Sequence, residues 1–351
     1  MAERSGDMAA MIANTKVFDQ YKGEDIYEYS LTNKNGVTLS TLSWGANWYE
    51  LLVPTKAGKK QNLLLNFPHT ADYAEKNPYL CMSIGRTAGR IGGASFTING
   101  KTYNVDVNES DYNLHGGFHG FNFYTWNGKI QDNHIIFNKK VTNELDNFPG
   151  NMDVTITYTL TDDDEVIIDY AAETDADSLF NPTNHAYWNL NAGDDPVTNH
   201  ELYIHSSHRA ALNSNKIPTG ELAPVLNTPY DFSKNAPLGK AIAALQSIPE
   251  KGLDDVFIID DHDPAKPVAE LRNPDNGISV TIFSERNAIV SYTANGWDDS
   301  QKFIDKTGQP QVAIALESQT APNAVSDLKF GDISIEPGEI KHYYTKYKFG
   351  Y

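Results

Sequence analysis

Val154-Thr155-Ile156-Thr157-Tyr158-Thr159-Leu160 alternates apolar and polar residues without a break. A two-residue period sends successive side chains to opposite faces of an extended chain, so the stretch reads as a half-buried β-strand. The period recurs in Ile278-Ser279-Val280-Thr281-Ile282 and begins at Val37-Thr38-Leu39-Ser40 before slipping at Thr41-Leu42. Val166–Ala171 and Ala288–Tyr292 are less regular but rich in β-branched and aromatic residues, and Val256–Ile259 and Val312–Leu316 are short apolar runs. Asn99-Gly100, set between two such runs, signals a tight hairpin. Helix signals are few: Thr70–Lys76 and Leu238–Gln246 are each long enough for about two turns. The pattern predicts an all-β fold, a large antiparallel β-sandwich with few short helices. Residues 1–16 read as a flexible tail, residues 17–351 as one domain, and Asn213–Pro237 as a long loop over one surface.

With 351 residues, 40% of them hydrophobic, the chain can bury a large core. Its net charge of -18 repels nucleic acid and anionic membranes, and no Lys/Arg cluster stands out against it. No apolar run approaches the length of a transmembrane helix, and Met1–Lys16 lacks the features of a secretory signal. Cys81 is the only cysteine, which rules out an internal disulfide and a Cys-rich zinc site. A cytoplasmic setting fits; monomer and homodimer both stay open.

Two stretches carry the chemistry. Asn184-His185-Ala186-Tyr187-Trp188-Asn189-Leu190 sets an imidazole among amides and aromatics, and imidazole titrates near neutral pH. Alternation groups His185, Tyr187 and Asn189 as a lining and assigns Trp188 to packing. In Val312–Glu317 the same rule puts the small Ala313 and Ala315 beside Glu317, leaving room for a ligand next to a lone carboxylate. If the two strands face each other, the chain holds an acid and a base. Gly85-Arg86-Thr87-Ala88-Gly89-Arg90 supplies two guanidiniums, suited to paired hydroxyls or to a surface acid. His115 lies in a glycine-rich loop unsuited to a helical metal site, and His200, His205 and His208 match no zinc spacing, so no metal is expected. Asp254 and Asp255 precede a strand, where acids grip hydroxyls or simply make a turn.

Taken together, Gly-Arg-Thr-Ala-Gly-Arg-Ile (85–91), Asn-Leu-His-Gly-Gly (113–117), Phe-Pro-Gly-Asn-Met (148–152), Asn-His-Ala-Tyr-Trp-Asn-Leu (184–190), Ile-Pro-Thr-Gly-Glu (217–221), Gly-Leu-Asp-Asp-Val-Phe (252–257) and Leu-Glu-Ser-Gln-Thr-Ala-Pro-Asn-Ala-Val (316–325) resemble, in order, the motifs of the aldose 1-epimerases, or galactose mutarotases. The resemblance implies a β-supersandwich with an open sugar cleft and no cofactor. It implies Glu317 as general base, His185 as general acid, and Arg90, His115, Tyr187 and Asp254 around the sugar. Two positions depart from the family pattern: Gly89 stands where Asn is frequent, and Val290 where Gln is frequent. The expected reaction interconverts the α and β anomers of free aldohexoses such as galactose and glucose, with a charged His185 and an ionised Glu317 reinforcing each other. Three rivals differ in chemistry. A hexose-6-phosphate epimerase would need cations such as Arg86 and Arg209, a sugar-binding module would need no acid–base pair, and a glycosidase would need two carboxylates.

Overall fold

In the computed structural model, which describes residues 10–77, 79–261 and 263–351, the alternating stretch forms the strand Met152–Leu160. Met152, Val154, Ile156, Tyr158 and Leu160 are buried, and the residues between them are exposed or half-buried. The strand pairs in unbroken antiparallel register with His134–Val141 on one side and Glu165–Thr174 on the other. These belong to a nine-stranded sheet that continues through Ile340–Gly350 and Ser279–Ser284. A five-stranded sheet runs in chain order from Ile12–Tyr21 to Lys60–Asn62. A six-stranded sheet has the spatial order Tyr187–Trp188, Ile314–Gln319, Ala288–Tyr292, Asp254–Ile258, His208–Leu212, Pro218–Pro224.

Aromatic rings lock the three sheets into one core. Trp188 of the six-stranded sheet meets Trp48 of the five-stranded sheet edge-on at 5.2 Å and Tyr347 of the nine-stranded sheet at 5.7 Å. Trp48 and Tyr347 close the triangle at 5.0 Å. Such ring pairs add about 0.5–1.5 kcal/mol each beyond the area they bury. Trp188 is therefore a packing residue, as its alternation implied.

The Asn99-Gly100 signal is a hairpin turn, both residues at positive φ, joining Ser95–Ile98 to Lys101–Asn104. The helical segments form at Thr70–Glu75 and Leu238–Ala244, and a single turn at Asn143–Asp146 joins them. Among the described residues no helix is long and apolar enough to cross a membrane.

Two expectations need correction. Residues 12–16, assigned to a flexible tail, belong to the strand Ile12–Tyr21, which turns at Lys22-Gly23 and pairs along Glu24–Thr32. This strand is exposed over most of its length, so backbone pairing holds it and no alternation marks it. Residues 1–9 of the expected tail lie outside the described residues. Asn213–Pro237 is likewise not all loop, for Pro218–Pro224 pairs with His208–Leu212 at the sheet's edge. An edge strand tolerates Pro218 and Pro224, since one side of its backbone has no ladder to feed.

Candidate active site

Ile314–Gln319 is buried at every position, unlike the half-solvated strands of the nine-stranded sheet. Alternation still sorts its faces: Leu316 enters the core, and Glu317 points the other way. The cross-strand neighbour of Glu317 is Val290, and Gln319, two residues on, donates its Nε2 to Glu317 Oε2 at 3.3 Å.

His185 sits at the turn between the short strands Thr183–Asn184 and Tyr187–Trp188. Its backbone is clamped on both sides: its N–H donates to Met82 O and its carbonyl accepts from Cys81 N–H. The Cys81 sulfur in turn accepts from the Tyr187 N–H at 3.3 Å, so the lone thiol is built into the wall behind the imidazole. His185 Nε2 lies 3.4 Å from Glu317 Oε1, with 6% and 2% of the two side chains exposed. The two separated stretches do meet.

Tyr187 stacks on His185 with ring centroids 4.8 Å apart. Asn189 leaves the expected trio, because its amide donates to the carbonyls of Asp195 and Val312. Arg90–Ile91 pairs with Asn113–Leu114, which brings Arg90 and His115 to the same wall. His115 exchanges two bonds with Gly89: its N–H donates to Gly89 O, and its Nδ1 accepts from the Gly89 N–H at 3.1 Å. A neutral imidazole whose Nδ1 accepts carries its proton on Nε2, so His115 presents a donor. The next residue must be glycine: Gly116 has φ of +89°, and a Cβ there would lie 2.1 Å from Gly85 O. The His115 ring stands 5.3 Å from that of His185. Asp254 is half-buried and opposite Tyr292 on the same sheet.

Burial controls the protonation of the pair. It lowers His185 to about 4 and raises Glu317 to about 8, with the Asp254 charge adding to the rise and Arg90 opposing it. His115 is also held well below its usual value, by burial first and then by His185 and Arg90. Burial thus works against the expected charged pair, favouring a neutral imidazole at His185 and a protonated carboxyl at Glu317. Between the two values the pair holds one proton, the same number as in the charge-separated form.

Ligand-type atoms of His115, His185 and Glu317 lie within 4.8 Å of one another. The His115 tautomer set by Gly89 puts a proton on the ring nitrogen left to face a ligand, which suits a sugar oxygen better than a cation.

Other candidates fall elsewhere. Arg86 is fully buried, bound to both oxygens of Asp146 at 2.6 and 3.0 Å and to the carbonyls of Pro149, Gly150 and Val141. Arg209 pairs with Asp255 at 3.1 Å and covers the Tyr230 ring. His200 accepts from the Leu190 N–H, while His205 and His208 bond to Tyr203 and Ser207. Sequence reasoning missed Tyr79, whose ring lies 4.8 Å from His115 and 6.2 Å from His185, because it belongs to no periodic stretch. It also gave no role to Gln319, though that residue is in the quoted motif, or to Trp297, whose ring is 4.7 Å from Tyr187.

The gap at Gly89 is already filled. A Cβ on Gly89 would lie 2.6 Å from Pro322 Cγ, so the proline occupies the space an asparagine side chain would enter.

Comparison with known proteins gives one answer. The family model for aldose 1-epimerase matches residues 27–348. An aldose 1-epimerase from Streptococcus thermophilus is 36% identical over 97% of this chain and 99% of its own. A maltose epimerase from Levilactobacillus brevis is 33% identical over 93% and 95%, and human galactose mutarotase 31% identical over 88% and 90%. Among solved structures, an aldose epimerase homologue from C. elegans superimposes with a TM-score of 0.85 at 27% identity, covering 91% of this chain and 97% of that one. A galactose 1-epimerase from Lactobacillus acidophilus gives 0.84 at 23% identity over 97% and 99%, which bears on the fold. The chain belongs to the aldose 1-epimerase family.

Proposed function

We propose that this isomerase opens and recloses the ring of free aldohexoses, galactose and glucose among them, with His185 and Glu317 exchanging protons with the two oxygens on C1. The observation that carries the reading is the 3.4 Å approach of His185 Nε2 to Glu317 Oε1, both buried, with one proton between them near neutral pH. In the forward step ionised Glu317 takes the proton of the C1 hydroxyl and protonated His185 delivers one to the ring oxygen. The C1–O5 bond breaks and the open aldehyde forms. The enzyme is then left with a protonated Glu317 and a neutral His185, the arrangement that burial favours. Rotation about C1–C2 presents the other face, and closure runs both transfers backwards.

Positioning falls to the surrounding groups. The His115 Nε2–H and the Arg90 guanidinium are donors, and the Asp254 carboxylate is an acceptor, so between them they can hold the remaining hydroxyls. Arg90 also favours ionised Glu317, which helps the pair reach its charge-separated form. The hexose-6-phosphate alternative loses support at this site because Arg86 and Arg209 are both taken by acids. A reducing disaccharide such as maltose is a second reading, supported by the Levilactobacillus brevis relative and by the half-buried Trp297 beside Tyr187.

Glu317→Gln should lose about a hundredfold to ten-thousandfold in turnover while still binding sugar. Polarimetry on freshly dissolved α-galactose, α-glucose and maltose, with calorimetric titration of the variant, checks this. A variant as fast as the parent would remove Glu317 from the base role.

A further inference from the structure

Gln319 ends the strand that carries Glu317, two residues on and therefore on the same face. Its side chain is fully buried. The amide Nε2 donates to Glu317 Oε2 at 3.3 Å, while Oε1 has no hydrogen-bond partner among the described residues. A buried carbonyl left unpaired is destabilising, and a methionine of much the same length would fill the corner without it. Packing alone therefore does not account for an amide here.

The corner leaves that amide little freedom. Its cross-strand neighbour is Ala288, and next to its Oε1 runs the Gly89 backbone, where a Cβ would lie 3.2 Å from that oxygen. Gly89 is also the residue that exchanges two bonds with His115. Gln319 thus reaches from the carboxylate to the loop that sets the His115 tautomer.

The consequence falls on the two oxygens of Glu317. Oε1 faces His185 Nε2 at 3.4 Å, whereas Oε2 accepts the Gln319 N–H. An oxygen that already accepts such a bond is the poorer place for a proton, so protonated Glu317 carries its proton on Oε1. The same bond favours the ionised carboxylate, because a donor is worth more to a charged acceptor than to a neutral one. The other groups around the carboxylate supply no equivalent. Val290, opposite it across the sheet, is apolar, and Tyr187 and Tyr347 come from the strand on its other side and from the nine-stranded sheet. His185 and His115 stand at the site's wall, and Arg90 and Asp254 act on Glu317 through their charges, in opposite directions. Among the described residues none of these donates a hydrogen bond to Oε2. We propose that Gln319 is a positioning residue for the reaction: it turns Oε1 of Glu317 toward His185, assigns the transferable proton to that oxygen, and holds the carboxyl ready to ionise. The inference rests on the acid–base roles proposed for His185 and Glu317.

The test is the pH profile of galactose mutarotation, followed by polarimetry, in the parent, Gln319→Met, Gln319→Leu and Pro322→Ala. Without the donor the ionised carboxylate is less favoured, so the alkaline fall of kcat/KM should move up by about one pH unit in both Gln319 variants. At neutral pH kcat should drop about tenfold, because the base is ionised less often, with KM for galactose within about twofold of the parent's. Pro322→Ala loosens the packing against Gly89 and removes no donor, so its alkaline limb should stay where the parent's is. Thermal melts show which variants are folded, and the shorter leucine serves if methionine overfills the corner. An alkaline limb unmoved in the folded Gln319 variants, an equal shift in Pro322→Ala, or a rise in KM with kcat intact would each overturn the inference. Glu317→Gln separates this failure from that of the reaction itself. A slow Glu317→Gln with an unmoved limb removes only Gln319 from its role, whereas a Glu317→Gln as fast as the parent removes the base and this inference with it.

Discussion

Under the acid–base roles proposed for His185 and Glu317, the pH dependence of turnover follows the protonation of the pair. Below about 4 the imidazole gains a proton while the carboxyl keeps its own, so no acceptor remains. Above about 8 the carboxyl gives up its proton beside a neutral imidazole, so no donor remains. kcat/KM should therefore rise through the lower value, hold a plateau, and fall through the upper one. Polarimetric rates corrected for spontaneous mutarotation test this, and a fall already complete at pH 6 would contradict the burial of Glu317. Arg86 poses a different single-residue test. Its partner Asp146 has a carboxyl that burial raises to about 6 even against the guanidinium's pull. Arg86→Met strands that acid in the interior, and loss of one partner of a buried pair costs about 3–5 kcal/mol. The midpoint of urea unfolding should drop accordingly, while KM of the folded fraction stays close to the parent's.

At the scale of elements, strands with one face in water and the other in the core were the plainest to read. Met152–Leu160 announced itself because its odd and even residues meet different media. Ile314–Gln319 is buried on both faces, so its alternation separates large from small side chains rather than apolar from polar, and its start was placed two positions too early. Ile12–Tyr21 was lost for the opposite reason, being solvated along most of its length. The meeting of His185 and Glu317 was legible because each is a lone titratable group in a largely uncharged stretch. It was illegible where backbone conformation decides, as at the Gly89–His115 exchange, because no residue type encodes a hydrogen bond between two loops. That exchange yields a paired prediction. Gly89→Asn must fit its Cβ against Pro322, overpacking that costs about 1–3 kcal/mol and displaces the acceptor site of His115. Adding Pro322→Ala should recover part of the loss. Thermal melts and KM for galactose, read as a double-mutant cycle, would measure the coupling. Additive losses would mean that the proline and the glycine are independent.

For the whole molecule, the Trp48–Trp188–Tyr347 triangle joins three sheets into one core, and Glu317 stands on the strand that pairs with Tyr187–Trp188. A shift of one sheet against another would therefore reach the site. The buried cysteine offers a way to watch that happen. Cys81 is fully covered, its thiol is pushed up to about 12 by burial, and its sulfur is held by the Tyr187 N–H. In the closed molecule it is a protonated sulfur out of reach, inert to alkylating agents at neutral pH. Iodoacetamide should therefore label it at a rate set by opening of the wall behind His185, and saturating galactose should slow that labelling. With no other cysteine in the chain, one mass-spectrometric time course becomes a clock for the breathing of the candidate site's wall.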